Sequence, residues 1–183
     1  MTTPLDGSPG VVALSGNPRA GSRTLVLARG VADELARRLR LPELVTTLDL
    51  ADVAGELFAD PAPEADRYRA VLAGAAVAVV ATPVYKASYT GLLKAFLDRY
   101  PSGGLRGVLA VPVVVSASPA HSFVAEHLLR PLLVELGASV PARPLAVTES
   151  QLADSATVVP AWADDAVPVL GPLLTTRLAE VVR

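Results

Sequence analysis

The fold is decided by one stretch near the amino terminus, Val11-Val12-Ala13-Leu14-Ser15-Gly16-Asn17-Pro18-Arg19-Ala20-Gly21-Ser22-Arg23-Thr24. Its first four residues are apolar and rich in β-branched side chains, which predicts a parallel strand buried on both faces. Small, polar and turn-forming residues follow, and a helical pattern begins near Thr24. The stretch therefore predicts a strand, a loop and the amino terminus of a helix.

The loop in this stretch has the composition of an anion site. Backbone N–H groups at a helix amino terminus bind phosphates. The hydroxyls of Ser15, Ser22 and Thr24 and the guanidinium groups of Arg19 and Arg23 add donors. Two common phosphate loops are absent, because a Walker A loop needs Lys and then Ser or Thr after its second glycine, and a dinucleotide loop needs three glycines. The loop suits a single phosphate monoester, and the alternative is an ordinary solvated turn.

Length and composition favour one globular domain. The chain has 183 residues, of which 51% are hydrophobic, and its net charge of −2 with scattered basic residues argues against a nucleic-acid partner. It has no cysteine and two histidines, so we expect no metal site. We expect no membrane span and a cytoplasmic location, because the apolar runs are short and the amino terminus lacks a signal-peptide pattern.

Five apolar strand segments alternate with helical segments along the chain. The strands are predicted at residues 11–14, 44–48, 75–81, 108–115 and 145–147, within a domain of residues 10–183 that follows a flexible tail at residues 1–9. This alternation is typical of an α/β fold with a parallel sheet covered on both faces. Right-handed crossovers then predict a flavodoxin-like, doubly wound sheet of five strands in the order 2-1-3-4-5.

In this topology, ligands bind at the carboxyl ends of strands one and three, where the strand order reverses. The loops at those ends are Ser15 to Ser22 and Thr82 to Thr90, and the loop Ser116 to His121 forms a third wall. The first two loops also concentrate polar, proline and aromatic residues. Topology and composition therefore point to the same place.

Two proline-containing segments lie beyond these loops. A fourth helix is predicted from Phe123 to Leu136, and Pro131 falls inside it and cannot donate to the carbonyl of His127. Two alternatives are open: a π-bulge of the kind found at functional sites, or a plain kink with a solvated His127. The tail from Trp162 also contains prolines, so we expect it to be broken until a final amphipathic turn or two from Leu173 to Val182. The tail adds apolar surface at Leu173, Leu174, Leu178, Val181 and Val182, and together with the apolar fourth helix it predicts a dimer or a dimer of dimers.

Three segments carry a resemblance to a known family. They are the loop from Ser15 to Thr24, the run Pro83-Val84-Tyr85-Lys86-Ala87-Ser88-Tyr89-Thr90-Gly91-Leu92-Leu93-Lys94-Ala95-Phe96-Leu97-Asp98, and the run His127-Leu128-Leu129-Arg130-Pro131-Leu132-Leu133-Val134-Glu135-Leu136-Gly137-Ala138. Over roughly residues 11 to 150, the chain resembles the flavodoxin-like NADPH-dependent FMN reductases associated with alkanesulfonate and methanesulfonate monooxygenases. The first loop is shared with many NAD(P)H:FMN and quinone reductases.

The resemblance implies where FMN binds. It assigns the phosphate to the first loop, the ribityl chain and ring edge to the second, and the pyrimidine side of the ring to the third. The cofactor-binding residues that it implies are Ser15, Asn17, Arg19, Ser22, Arg23, Pro83, Val84, Tyr85, Lys86, Ser116, Ala117 and Ser118. The third loop departs from the family's Thr-Gly-Gly-Ser, because its Cβ atoms and Pro119 restrict close backbone approach and remove one donor.

The resemblance also implies the chemistry. Hydride passes from C4 of the nicotinamide of NADPH or NADH to N5 of FMN, so no catalytic side chain is assigned. Flavin-releasing members of the family have a π-bulge in the fourth helix, with an aromatic residue where this chain has His127, whose ring would hydrogen-bond across a subunit interface. The family is known for dimers and tetramers.

Three functions stay open at this point. The first is a reductase that supplies reduced FMN to a partner monooxygenase. The second is a quinone or azo reductase of the same fold that keeps FMN bound. The third, a non-enzymatic electron carrier, is disfavoured because such carriers are typically strongly acidic and this chain is nearly neutral.

Overall fold

The computed structural model describes residues 10–41 and 45–181, with side chains as far as residue 176. The tail predicted at residues 1–9, and Leu44 of the predicted second strand, lie outside the described residues. The strands are β1 (Val11–Ser15), β2 (Thr46–Asp49), β3 (Val77–Pro83), β4 (Leu109–Ser116) and β5 (Leu145–Thr148). The α-helices are α1 (Arg23–Leu39), α2 (Pro63–Ala73), α3 (Gly91–Leu97), α4 (Arg130–Glu135) and α5 (Ser155–Val181).

The five strands form one parallel sheet in the order β2-β1-β3-β4-β5, so the predicted flavodoxin-like α/β fold is confirmed. Alternate side chains of β1 enter two separate cores. Val12 and Leu14 pack on the side of α2 and α3, whereas Val11 and Ala13 pack on the side of α1 and α5. Both faces of the strand are buried, which is why its sequence is continuously apolar.

The third and fourth strands extend further toward the carboxyl edge than predicted. β3 ends at Pro83 rather than Ala81, and β4 ends at Ser116 rather than Val115. Pro83 lies beside Val115, and the next N–H, that of Val84, donates to the Val115 carbonyl at 2.8 Å. The proline removes only its own donor, so the sheet holds the start of the loop that follows.

The prediction of a broken tail is wrong, because α5 runs without interruption from Ser155 to Val181. Its apolar residues recur at helical spacing and are buried with α1 in one core; they are Val159, Ala163, Ala166, Leu170 and Leu174. Pro168 and Pro172 lie on the exposed side of the helix. Burial of the apolar side therefore outweighs the missing donors of the prolines.

Among the helices of residues 10–41 and 45–181, none combines the length and the hydropathy that a membrane-spanning segment needs.

Candidate functional site

Three loops meet at the carboxyl edge of the sheet. β1, β3 and β4 are neighbours, with Ser15 beside Ala81 and Pro83 beside Val115. The segments that leave these strands begin at residues 16, 84 and 117. The structure therefore brings together the three segments that the sequence predicts at the point where the strand order reverses.

The first loop, residues 15–22, is folded around the side chain of Asn17. The amide nitrogen donates to Thr24 Oγ1 at 3.1 Å, and the amide oxygen accepts the Arg19 N–H at 3.0 Å. The Asn17 N–H donates in turn to Ser15 Oγ at 3.3 Å. Ser15 and Asn17 are both buried, so these two predicted phosphate contacts face into the loop and shape it.

A buried carboxylate holds the far side of the same loop. Asp49, the last residue of β2, accepts the Gly21 N–H at 3.0 Å and the Ala51 N–H at 3.4 Å. Gly21 has a φ of +62°, where a residue with a Cβ atom would be strained. Sequence reasoning missed Asp49, although a polar residue at the carboxyl end of the strand beside β1 was a usable indication.

The amino terminus of α1 supplies the donors of the loop. Ser22 caps the helix, because its Oγ accepts the Leu25 N–H at 3.2 Å. The N–H groups of Arg23 and Thr24 have no acceptor within hydrogen-bonding distance among the described residues. N–H groups at the positive end of a helix are well placed to bind an anion.

The two arginines of this region have different surroundings. Arg19 is exposed and makes no ion pair within the described part of the chain. Arg23 donates to the carboxylate of Glu149 at 2.8 Å, and both side chains are exposed. Arg19 is therefore available to an anion, whereas an anion would compete with Glu149 for the guanidinium of Arg23.

The second loop contains a tight two-residue turn. Tyr85 and Ser88 exchange backbone hydrogen bonds at 2.9 and 3.1 Å, and between them Lys86 and Ala87 have φ values of +52° and +59°. Such angles are typical of a type I′ turn, which favours Asn and Gly because other side chains are strained there. The turn holds the Tyr85 and Lys86 side chains exposed at the carboxyl edge.

Thr90 joins the second loop to the first. Its Oγ1 donates to the Gly16 carbonyl at 2.6 Å and accepts the Leu93 N–H at 3.1 Å. Its own N–H donates to Thr82 Oγ1 at 3.2 Å, and that hydroxyl donates to the Pro83 carbonyl at 2.9 Å. Sequence reasoning gave neither threonine a role, although a threonine at a helix start is a typical N-cap.

The third loop is closed by its own hydroxyl groups. Ser116 Oγ donates to the Ser118 carbonyl at 2.8 Å, and Ser118 Oγ accepts the Ala120 N–H at 3.3 Å. Ala117 is exposed between the two serines, and Pro119 begins a short 3-10 turn. A groove of about 440 Å³ adjoins this loop and reaches the end of β5.

The fourth helix contains a π-helical turn at Ala125–Leu129, directly before α4. The Arg130 N–H donates to the carbonyl of Ala125, five residues back, and Pro131 has no N–H to offer the carbonyl of His127. Of the two alternatives for this helix, the structure has the π-bulge. His127 is exposed and lines a groove of about 720 Å³ beside β5.

The first loop fits a phosphate monoester. It offers N–H groups of a helix terminus that have no partner in the described part of the chain, and the exposed guanidinium of Arg19; such a dianion needs donors of this kind. The carboxylate of Asp49 is buried and turned to the backbone of the loop.

Comparison with known proteins agrees with this geometry. Residues 9–151 match the family of NADPH-dependent FMN reductases. The chain is 34% identical over 160 residues to the NADH-dependent FMN reductase SfnE of Pseudomonas putida, covering 84% of this chain and 82% of that one. It is 32% identical over 147 residues to an FMN reductase (NADPH) of Escherichia coli (strain K12), covering 79% and 75%.

A solved structure extends the likeness to the fold. The apo form of an NADH:FMN oxidoreductase (EMOB) superposes with a TM-score of 0.69 at 31% identity, over 94% of this chain and 90% of that one. The family match spans all three loops of the carboxyl edge as well as the sheet that carries them. The chain belongs to the NADPH-dependent FMN reductase family and is an NAD(P)H:FMN oxidoreductase.

Proposed function

We propose that this oxidoreductase releases reduced FMN to a partner monooxygenase. The observation that carries the proposal is the π-helical turn at Ala125–Leu129, the feature that the family resemblance links to flavin-releasing reductases. The names of the matched relatives support it, because in an FMN reductase the flavin is the molecule that is reduced. A reduced flavin that leaves its enzyme must be used by a second enzyme, and flavin-dependent monooxygenases use reduced flavin in this way.

We place the FMN phosphate over the amino terminus of α1. Its donors are the N–H groups of Arg23 and Thr24 and the guanidinium of Arg19. Ser15 and Asn17 shape the loop from inside, and Ser22 keeps the helix terminus in place as its cap. The guanidinium of Arg23 reaches the phosphate only by leaving Glu149, so we expect it to contribute less than that of Arg19.

The flavin ring lies between the second and third loops in this proposal. The residues that we place along the ribityl chain and the ring edge are Pro83, Val84, Tyr85 and Lys86; those on the pyrimidine side are Ser116, Ala117 and Ser118. When bound, FMN would supply N5 as the acceptor of a hydride from C4 of NADPH or NADH. The protein contributes position, and the Lys86 ammonium offsets negative charge near the ring.

We also propose that the enzyme is a homodimer or homotetramer. Phe123 and Val134 are 40% and 52% exposed on the helical segment that carries His127, and Leu173 is 44% exposed on α5. Leu174, predicted to add to the same surface, is instead buried in the core with α1. A monomeric mass by light scattering at micromolar concentration would contradict the assembly.

The predicted cytoplasmic location also remains a proposal, to be tested by cell fractionation.

The experiment that tests release compares two electron acceptors. Steady-state oxidation of NADPH and of NADH is measured with added FMN, and then with a quinone at a fixed amount of bound flavin. We expect the rate to rise and saturate with added FMN and to respond weakly to quinone. The opposite pattern would favour the alternative of a quinone or azo reductase that keeps its flavin.

A further inference from the structure

We infer that Thr90 is a positioning residue that sets the separation between the two loops that grip opposite ends of FMN. We call residues 15–22 the phosphate loop and residues 83–90 the ring loop. The inference rests on the FMN placement proposed above. It goes beyond that placement because it assigns a role to a buried side chain that bonds only to other parts of the protein, at Gly16 and Leu93.

Two hydrogen-bond chains pass through Thr90. One runs from the Leu93 N–H to the Thr90 hydroxyl and on to the Gly16 carbonyl, at 3.1 and 2.6 Å. The other runs from the Thr90 N–H to the Thr82 hydroxyl and on to the Pro83 carbonyl, at 3.2 and 2.9 Å. The first chain ends inside the phosphate loop and the second at the start of the ring loop, so one residue ties both loops to the amino terminus of α3.

Gly16 is also held by its contacts with β3 and α3. The Gly16 N–H donates to the Ala81 carbonyl of β3 at 2.7 Å. On its other side, a Cβ atom added to Gly16 would lie 2.7 Å from Leu93 Cβ, so the bare backbone of Gly16 packs directly on the first turn of α3. A movement of Thr90 is therefore passed to the phosphate loop, because Gly16 has no free space to absorb it.

Capping of α3 does not require all of these contacts. An N-cap threonine needs only the bond from the Leu93 N–H. The bond to Gly16 spans 74 residues of the sequence, and the bond to Thr82 closes the base of the ring loop; both threonines are almost fully buried. A buried, satisfied network of this kind fixes one geometry. The geometry fixed here is the spacing between the two loops, which must match the length of FMN.

The test uses substitutions that remove single hydroxyl groups at nearly constant volume. Thr90→Val removes both bonds of the first chain, to the Leu93 N–H and the Gly16 carbonyl, and keeps the bond from its own N–H to Thr82. We expect the Kd for FMN to rise about tenfold. The Kd for riboflavin should rise less, because riboflavin does not engage the phosphate loop. Thr90→Ser should restore wild-type binding, since it keeps the hydroxyl.

One further variant tests the ring loop alone, and another serves as a control. Thr82→Val breaks only the chain to the ring loop, so FMN and riboflavin should weaken by the same factor. Thr47→Val is the matched control, because the Thr47 hydroxyl is buried without a partner among the described residues and lies in β2, away from both chains. It should leave both Kd values unchanged. If Thr90→Val does not fold, Thr90→Gly replaces it, because helix N-caps tolerate glycine.

The outcomes distinguish this inference from the FMN placement itself. Equal losses of FMN and riboflavin affinity in Thr90→Val, or wild-type affinity together with a lower urea midpoint, would leave Thr90 as a plain helix cap and overturn the inference. An Arg19→Gln variant is titrated in parallel. If Arg19→Gln fails to discriminate between the two flavins, the proposed phosphate position is at fault, and the inference about Thr90 falls with it.

Discussion

Replacing Arg19 with Gln removes an exposed guanidinium beside the amino terminus of α1. The side chain of Arg19 makes no ion pair within the described residues, so we expect the free energy of unfolding to change by less than about 0.5 kcal/mol. A charge-assisted hydrogen bond to a phosphate contributes about 1.5–3 kcal/mol. Since about 1.4 kcal/mol corresponds to a factor of ten, the Kd for FMN should rise roughly 10- to 150-fold.

Riboflavin, which lacks the phosphate, provides the reference for this prediction. Both flavins are titrated by quenching of flavin fluorescence, and we expect the riboflavin Kd to stay at its wild-type value. Arg29→Gln is the matched control, because it removes the same charge from an exposed position further along α1, where Arg29 faces Asp33 at 3.6 Å. Equal losses for both flavins in Arg19→Gln, or an equal FMN loss in Arg29→Gln, would refute the assignment.

Three other substitutions test further features of the structure. Ala87→Gly relieves a positive φ and should raise the free energy of unfolding by about 0.5–1 kcal/mol in urea titrations, whereas Ala70→Gly within α2 should lower it by a similar amount. Leu170→Ala should cost about 2–5 kcal/mol, because Leu170 is fully buried between α5 and α1, while exposed Thr176→Ala should cost little. His127→Ala should change the rate of flavin release, measured by stopped-flow, and leave the circular dichroism spectrum intact; unchanged release and an unchanged FMN Kd would make His127 a bystander.

The sheet could be predicted because its strands are buried on both faces and therefore read as continuous apolar runs. β1 and β3 stand out in this way, and the handedness of the crossovers then leaves few possible strand orders. The carboxyl end of β3 is harder to predict, because a proline such as Pro83 normally terminates a strand. In the structure, Pro83 occupies the last position of the strand, where only its own donor is missing.

Helix α5 could not be predicted from local sequence rules. Pro168 and Pro172 are strong helix breakers in isolation, so local rules predict an interrupted helix here. The helix is stabilised mainly by tertiary packing, because Val159, Ala163 and Leu170 lie on one side of α5 and are buried against α1. Such packing becomes visible only when the two helices are placed on the same face of the sheet.

The positions of the three loops of the candidate site could be predicted from topology, but the roles of individual side chains in those loops could not. Ser15 and Asn17 are polar residues in a phosphate-type loop, yet the structure turns both side chains inward. Asp49 and Thr90 come from segments distant in sequence, and each holds a loop through its backbone. These contacts depend on the spacing of neighbouring strands, which no single stretch of sequence encodes.

Release of reduced flavin is tested most directly by counting the FMN molecules that one enzyme reduces. Under anaerobic conditions, the enzyme is mixed with a large excess of FMN and of NADPH or NADH, and the flavin absorbance is followed to its end point. We predict that the whole FMN pool is bleached, because each reduced flavin leaves and another takes its place. Bleaching that stops after one equivalent per active site would contradict release and would identify a reductase that retains its flavin.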